Sequence, residues 1–115
     1  MKHCVEIRSY NLKPGTRGEF HRLVLERSMP MLERWNVDVV AFGPSPHDKD
    51  SYFLIRRYES LADRVRSQDA FYGSDEWKTG PREAIVSLIV SDTSIVLELD
   101  EATVQGMRRA GRSSQ

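Results

Sequence analysis

The stretch Tyr52-Phe53-Leu54-Ile55-Arg56-Arg57-Tyr58 narrows the possible folds more than any other part of the chain. Its aromatic and β-branched content marks a strand, and along a strand successive side chains point to opposite faces. Phe53 and Ile55 then share one face, while Tyr52, Leu54 and Tyr58 share the other with Arg56 among them. Both faces are substantially apolar, so the sheet that holds this strand needs cover on both sides. Helices of the same chain can cover one face of a small sheet. Left bare, Tyr52, Leu54, Tyr58 and Tyr10 would form an apolar patch unusual on a monomer. A second copy of the chain is the simplest cover, because most soluble assemblies are two-fold homodimers. The expectation is a homodimer sealed by that face.

The rest of the chain supplies the other elements. His3 to Leu12 reads as a first strand, with Val5, Ile7 and Ser9 on one side and Glu6, Arg8, Tyr10 and Leu12 on the other. Lys13-Pro14-Gly15 stops it, and Thr16 with Glu19 has the spacing of a capping box. Phe20, Leu23, Val24, Met31, Leu32 and Trp35 follow at helical spacing. Pro30 falls inside that pattern and predicts a kink, because it removes the bond to the Glu26 carbonyl. Val37 to Gly43 is a second strand, and Pro44 to Asp50 is a turn-rich loop. After the third strand, Ser60 and Asp63 repeat the capping signature for a helix that is weakly apolar through Leu61, Val65 and Ala70. The pattern breaks near Gly73, restarts at Ser74 and breaks again at Gly80-Pro81. A last helical piece would carry Ala84, Ile85, Leu88 and Ile89. Thr93 to Leu99 is the fourth strand. The order β-α-β-β-α-β is the split βαβ arrangement of ferredoxin-like folds, an α+β class. It places the first and third strands at the centre of a four-stranded antiparallel sheet, with helices on one face. Residues 1–100 form that domain, and residues 101–115 read as a polar C-terminal tail, partly disordered from Gly111 onward.

Composition removes several classes of function. Lys plus Arg balances Asp plus Glu at 17 each, so no bulk field draws the chain to nucleic acid or to an anionic membrane. The third strand lacks the glycines of an RNA-recognition motif, which excludes the best-known nucleic-acid binder with this element order. No apolar run approaches the roughly 18 residues that cross a bilayer. A lone cysteine, Cys4, forms no internal disulfide and suits a reducing, cytoplasmic setting. No Gly-rich phosphate loop, dinucleotide fingerprint or nucleophile elbow is present, so no cofactor is expected. His47, Asp48 and Asp50 are metal-ligand types, but without a ligand spacing they read as a solvated loop, and no metal is expected.

The strongest candidate constellation is Glu6, Arg8 and Tyr10 on the open face of the first strand, beside Arg56 and Tyr58 on the third. As a cleft, it would use arginine to bind an anionic group and Glu6 or a tyrosine to exchange a proton. As structure alone, it would pair Glu6 with Arg8 or Arg56 inside a dimer, with the tyrosines packed around them. Trp35 and Trp77 are core anchors or possible pocket walls.

Three runs carry a family resemblance. Glu6-Ile7-Arg8-Ser9-Tyr10-Asn11-Leu12-Lys13-Pro14-Gly15 resembles the E-x-R-x-Y-x-L-K-P-G opening of NIPSNAP domains. Tyr58-Glu59-Ser60-Leu61-Ala62-Asp63-Arg64 is similar to that family's strand-to-helix junction, and Asp75-Glu76-Trp77 to its later acidic-aromatic signature. The resemblance spans about Val5 to Leu99 and implies a dimeric α+β barrel. On the third strand the family often carries His and an aromatic where this chain has Leu54 and Arg56. The resemblance supplies no reaction, so three functions stay open: a dimeric binder of a small, partly apolar or anionic ligand; a cofactor-independent monooxygenase or isomerase; or a protein-interaction module with a packed barrel. A pocket of a few hundred Å³ near Arg8 and Tyr58 would favour the first two.

Overall fold

Alternation along the first strand sets up the molecule. In the computed structural model, which describes residues 2–113, β1 (Lys2–Leu12) lies inside a four-stranded antiparallel sheet. The sheet order is β2 (Asp38–Pro44), β3 (Ser51–Tyr58), β1 and β4 (Ile89–Asp100). The first and third strands are central, as the element order requires. The remaining elements are α1 (Arg17–Leu23), α2 (Met29–Arg34), α3 (Leu61–Tyr72), α4 (Asp75–Thr79), α5 (Arg82–Val86) and α6 (Glu101–Ser113).

Three local expectations change in form. Thr16 does not cap α1 with its side chain; its hydroxyl instead donates to the Lys13 carbonyl at 2.7 Å, closing the turn after β1. Pro30 produces a wide turn in place of a simple kink. Residues Val24–Ser28 are π-helical, and the Met29 N–H bonds back to the Val24 carbonyl. The longer i→i+5 step absorbs the bond that proline removes and the crowding its ring imposes. The last helical piece ends at Val86, and β4 begins at Ile89, earlier than Thr93, so Leu88 and Ile89 lie outside the helix. By contrast, Ser60 caps α3 by accepting from Asp63 N–H, and the Asp63 carboxylate accepts from Glu59 N–H, both at 3.0 Å.

The helices up to α5 cover one face of the sheet, and the core lies between. Tyr10, Leu12, Tyr52 and Leu54 from the strands meet Phe20, Leu32, Phe71 and Trp77 from the helices. This reverses the expectation about the third strand. Tyr52, Leu54, Tyr58 and Tyr10 are buried under the chain's own helices, so that face needs no partner. The helices up to α5 leave the other face, where Ile7, Phe53, Ile95 and Leu97 remain beside the part that the C-terminal segment covers. Two apolar faces were correctly read, but period-two alternation does not say which of them takes the helices.

The C-terminal segment also departs from expectation. Residues 101–113 form α6; Ser114 and Gln115 lie outside the described residues. Asp100 caps it by accepting from Thr103 N–H at 2.8 Å. Val104 is fully buried and, with Met107, packs against Val5, Val40, Ile55 and Leu99 on the second face of the sheet. Arg108 grips Asp38 through two bonds of 3.0 and 3.2 Å. Gly111 allows the close approach to β2, since a Cβ there would lie 2.4 Å from the Ala41 Cβ. A largely polar helix thus docks through a narrow apolar stripe and one bidentate ion pair. No helix of the described residues is long and apolar enough to cross a membrane.

Candidate functional site

Pairing of β1 with β3 sets Glu6 opposite Arg56, Cys4 opposite Tyr58, and Tyr10 opposite Tyr52. Glu6, Arg8, Tyr10, Arg56 and Tyr58 therefore share a face, but it is the face beneath α3, not an open one. Arg64, Gln68 and Tyr72 descend from α3 onto them at four-residue steps, one per turn of a single helix side. Leu61 and Val65, two of the few apolar positions of this helix, are 62% and 52% exposed. The helix turns a polar stripe inward because a buried carboxylate on the sheet demands donors.

That carboxylate belongs to Glu6, which has no solvent exposure. Its Oε1 accepts from Arg56 Nε at 3.1 Å and Nη2 at 2.6 Å. Its Oε2 accepts from Arg64 Nε and Gln68 Nε2, each at 2.8 Å. Burial pushes its pKa up, but the Arg56 charge and the Gln68 and Arg56 hydrogen bonds outweigh that and hold it down to about 2. A carboxylate so saturated is a poor base. The structure removes it as a proton exchanger and leaves it as the anchor of a charge cluster. Tyr10 is no better placed for proton transfer, because burial raises its pKa to about 12. Tyr58 lies at the far end of the cluster, where its hydroxyl accepts from Gln68 at 3.2 Å.

Arg8 behaves differently from Arg56. Its Nη2 stands 3.7 Å from Glu6, beyond hydrogen-bonding range, and its side chain is 19% exposed where that of Arg56 is 1%. Its Nε donates to Ser94 Oγ at 3.1 Å, and Nη1 reaches the Tyr72 hydroxyl at 3.4 Å. Arg56 Nη1 donates to the same hydroxyl at 2.9 Å. Three guanidiniums, Arg8, Arg56 and Arg64, thus surround one carboxylate and leave an excess of positive charge. Arg8 and Arg64 are both partly exposed, and Arg8 is the one with no hydrogen bond to Glu6.

Two hollows lie beside this cluster and share walls. A cavity of about 50 Å³ lies between sheet and helices, walled by Tyr10, Phe20, Leu54, Phe71, Tyr72 and Trp77 among others. An open pocket of about 280 Å³ adjoins it and is lined by Arg8, Tyr10, Tyr72, Trp77, Arg82 and Asp92 with Ile85, Val86 and Ile89. Tyr10, Tyr72, Trp77 and Ile85 wall both. Trp77 is therefore a pocket wall. Trp35 is not; it stacks edge-on against Phe71 and donates its Nε1–H to Glu76 at 2.8 Å. Of the residues proposed from sequence, Arg8, Tyr10 and Trp77 line the pocket, whereas Glu6, Arg56 and Tyr58 form the buried support behind it. Sequence reading missed Tyr72, Gln68 and Arg64. Their even spacing on a helix with weak apolar patterning was the signal available.

The loop histidine is spent locally: His47 Nδ1 pairs with Ser45 Oγ at 2.7 Å, while Asp50 accepts from Gly15 N–H at 3.2 Å. Among the described residues no group of three His, Cys, Asp or Glu could hold a metal ion.

Comparison with known proteins places this geometry. No curated protein matches the chain in sequence. A NIPSNAP-like domain protein from Burkholderia xenovorans has a similar crystal structure, with a TM-score of 0.76 at 22% identity and 83% of each chain covered. A NIPSNAP family protein from Agrobacterium tumefaciens superposes with a TM-score of 0.78 at 19% identity, covering 86% of this chain and 87% of its own. A candidate antibiotic biosynthesis monooxygenase from Bordetella bronchiseptica shares the fold at a TM-score of 0.65 and 18% identity, over 88% of this chain and 98% of its own. At such identities the likeness concerns the fold. The family assignment comes from the sequence itself, because the NIPSNAP model matches residues 5–100, from within β1 to the end of β4, and the chain belongs to the NIPSNAP family.

Proposed function

We propose that this domain binds a small, partly apolar anion in the cleft between its sheet and its helix layer, one site in each protomer of a homodimer. One observation carries the reading: a pocket of about 280 Å³, with Arg8 in its wall, shares aromatic walls with an apolar cavity deeper in the protomer. Together they approach the volume of ordinary small-molecule sites, and apolar walls with a few convergent polar groups are the usual lining. The deeper cavity suits the apolar part of a ligand, and Arg8 suits a negative head, since its guanidinium has N–H groups not committed to Glu6. A fully packed interior would have favoured a protein-interaction module instead.

A cofactor-independent monooxygenase or isomerase is the alternative, drawn from the likeness in fold to the Bordetella protein; fold alone does not carry an activity. The saturation of Glu6 weighs against it, because the nearest carboxylate is a poor base. The homodimer is supported by the open apolar face, where Ile95 is 59% and Leu97 38% exposed beside Ile7 and Phe53. A two-fold axis through that face would bury each copy's patch against its counterpart. The buried single cysteine accords with a cytoplasmic setting.

The test is to extract small molecules that co-purify with the native protein and with Arg8→Met, and to identify them by mass spectrometry. An organic anion carried by the wild type and absent from a folded Arg8→Met supports the reading. Identical extracts from the two proteins refute it.

A further inference from the structure

Tyr72 sits where the charge cluster, the inner cavity and the open pocket meet, and its hydrogen bonds are lopsided. Its hydroxyl oxygen receives Arg56 Nη1 at 2.9 Å and Arg8 Nη1 at 3.4 Å. A phenol has two lone pairs and one O–H. With guanidiniums directed at the oxygen, both lone pairs are occupied and only the O–H is left over. Neither arginine can accept it, because a guanidinium has donors alone. The same ring walls both hollows, and the guanidinium carbons of Arg8 and Arg56 stand 5.9 and 5.7 Å from its centroid.

We infer that Tyr72 reads the head group of the ligand, donating its O–H to an oxyanion that Arg8 also contacts, and so selects carboxylates over neutral analogues of the same shape. This rests on the cleft reading above and adds the head-group class to it. Two arginines polarise the O–H toward donation, and a bond from a polarised hydroxyl to a charged oxygen is stronger than one to a neutral oxygen. Arg82 and Asp92 also line the mouth, and Arg82 is paired with Glu83 at 3.2 Å, so Arg8 is the cation the head group meets. The aromatic and aliphatic inner walls require the rest of the ligand to be apolar. The ligand class is therefore a small carboxylic acid with an aromatic or short acyl body.

Phenylacetate, benzoate and hexanoate serve as probes, with phenylacetamide as the neutral counterpart of the first. Binding is measured by Trp fluorescence and calorimetry on the full chain. Wild type should take the acids in preference to the amide. Tyr72→Phe keeps the ring and removes only the hydroxyl. A lost hydrogen bond to a charged group corresponds to roughly ten- to a hundredfold in affinity, and one to a neutral group to roughly two- to tenfold. The preference for phenylacetate over phenylacetamide should then shrink by about tenfold, a ratio that a general loosening of the pocket would not move. Tyr72→Gln, which restores an N–H donor and an acceptor oxygen, should recover part of that preference. If wild type binds the acids and the ratio is unchanged in Tyr72→Phe, the inference about Tyr72 is overturned while the cleft reading stands. If wild type binds none of the three acids at millimolar concentration, the cleft reading fails and the inference with it.

Discussion

Arg56 and Arg8, both beside Glu6, have opposite assignments, and a pair of double-mutant cycles separates them. Arg56 is structural: its side chain is 1% exposed, and it holds the fully buried Glu6 at 2.6 Å. Removing Arg56 leaves the buried Oε1 without its donors, with Arg64 and Gln68 holding only Oε2, and breaking a buried pair costs about 3–5 kcal/mol. Arg8 approaches Glu6 only to 3.7 Å and is partly solvated, so its ion pair should contribute roughly 1 kcal/mol or less. Arg56→Met should therefore cost about 3–5 kcal/mol, and Arg8→Met about 1 kcal/mol, with packing of the methylene stem kept in both. Combined with Glu6→Gln, the Arg56 change should show coupling near 2–3 kcal/mol, because the second removal relieves what the first stranded. The Arg8 change should be additive with Glu6→Gln to within about 0.5 kcal/mol. Urea denaturation at one protein concentration reads all five variants, with a common m-value as the check that the denatured state is unchanged. A Glu6–Arg8 coupling as large as that of Glu6–Arg56 would refute the division and return Arg8 to the structural network.

The buried carboxylate and the open face each give a further expected outcome. Glu6 has its pKa lowered from 4.5 to about 2 in the folded state, so its contribution to stability is complete above the unfolded value and disappears as pH falls through the folded one. Wild type should lose roughly 3 kcal/mol between about pH 5 and pH 2 on this account, and Glu6→Gln should show a visibly flatter profile by denaturation across that range. If the proposed homodimer forms through the open face, Ile95→Asp should raise its dissociation constant by at least tenfold with little loss of protomer stability, because Ile95 is 59% exposed, whereas Leu54→Asp should unfold the protomer, because Leu54 is buried under the helices. Sedimentation velocity with circular dichroism distinguishes the two, and a folded monomeric Leu54→Asp would overturn the assignment of faces.

The sequence by itself determined the element order, the centrality of β1 and β3, and the grouping of Glu6, Arg8, Tyr10, Arg56 and Tyr58 on one face. Each of these follows from period-two or helical spacing, which is local and needs no knowledge of what lies above the sheet. It also showed that both faces of β3 are substantially apolar. Tertiary structure alone decided which face the helices take. That choice depends on the hand and length of the connections, to which alternation is blind, and it moved the tyrosine face from surface to core. The α3 stripe escaped notice for a related reason: Arg64, Gln68 and Tyr72 face inward only because Glu6 waits beneath them, so their burial is a property of the pair of elements and not of the helix. The same holds for α6. Its polar residues read as a tail until Val104 meets Val5 and Val40, and Arg108 meets Asp38, contacts between segments more than sixty residues apart. The division between Arg8 and Arg56 belongs to this second category as well, because two arginines flanking one carboxylate look alike in sequence, and only depth and distance separate the one that supports the fold from the one that faces the pocket.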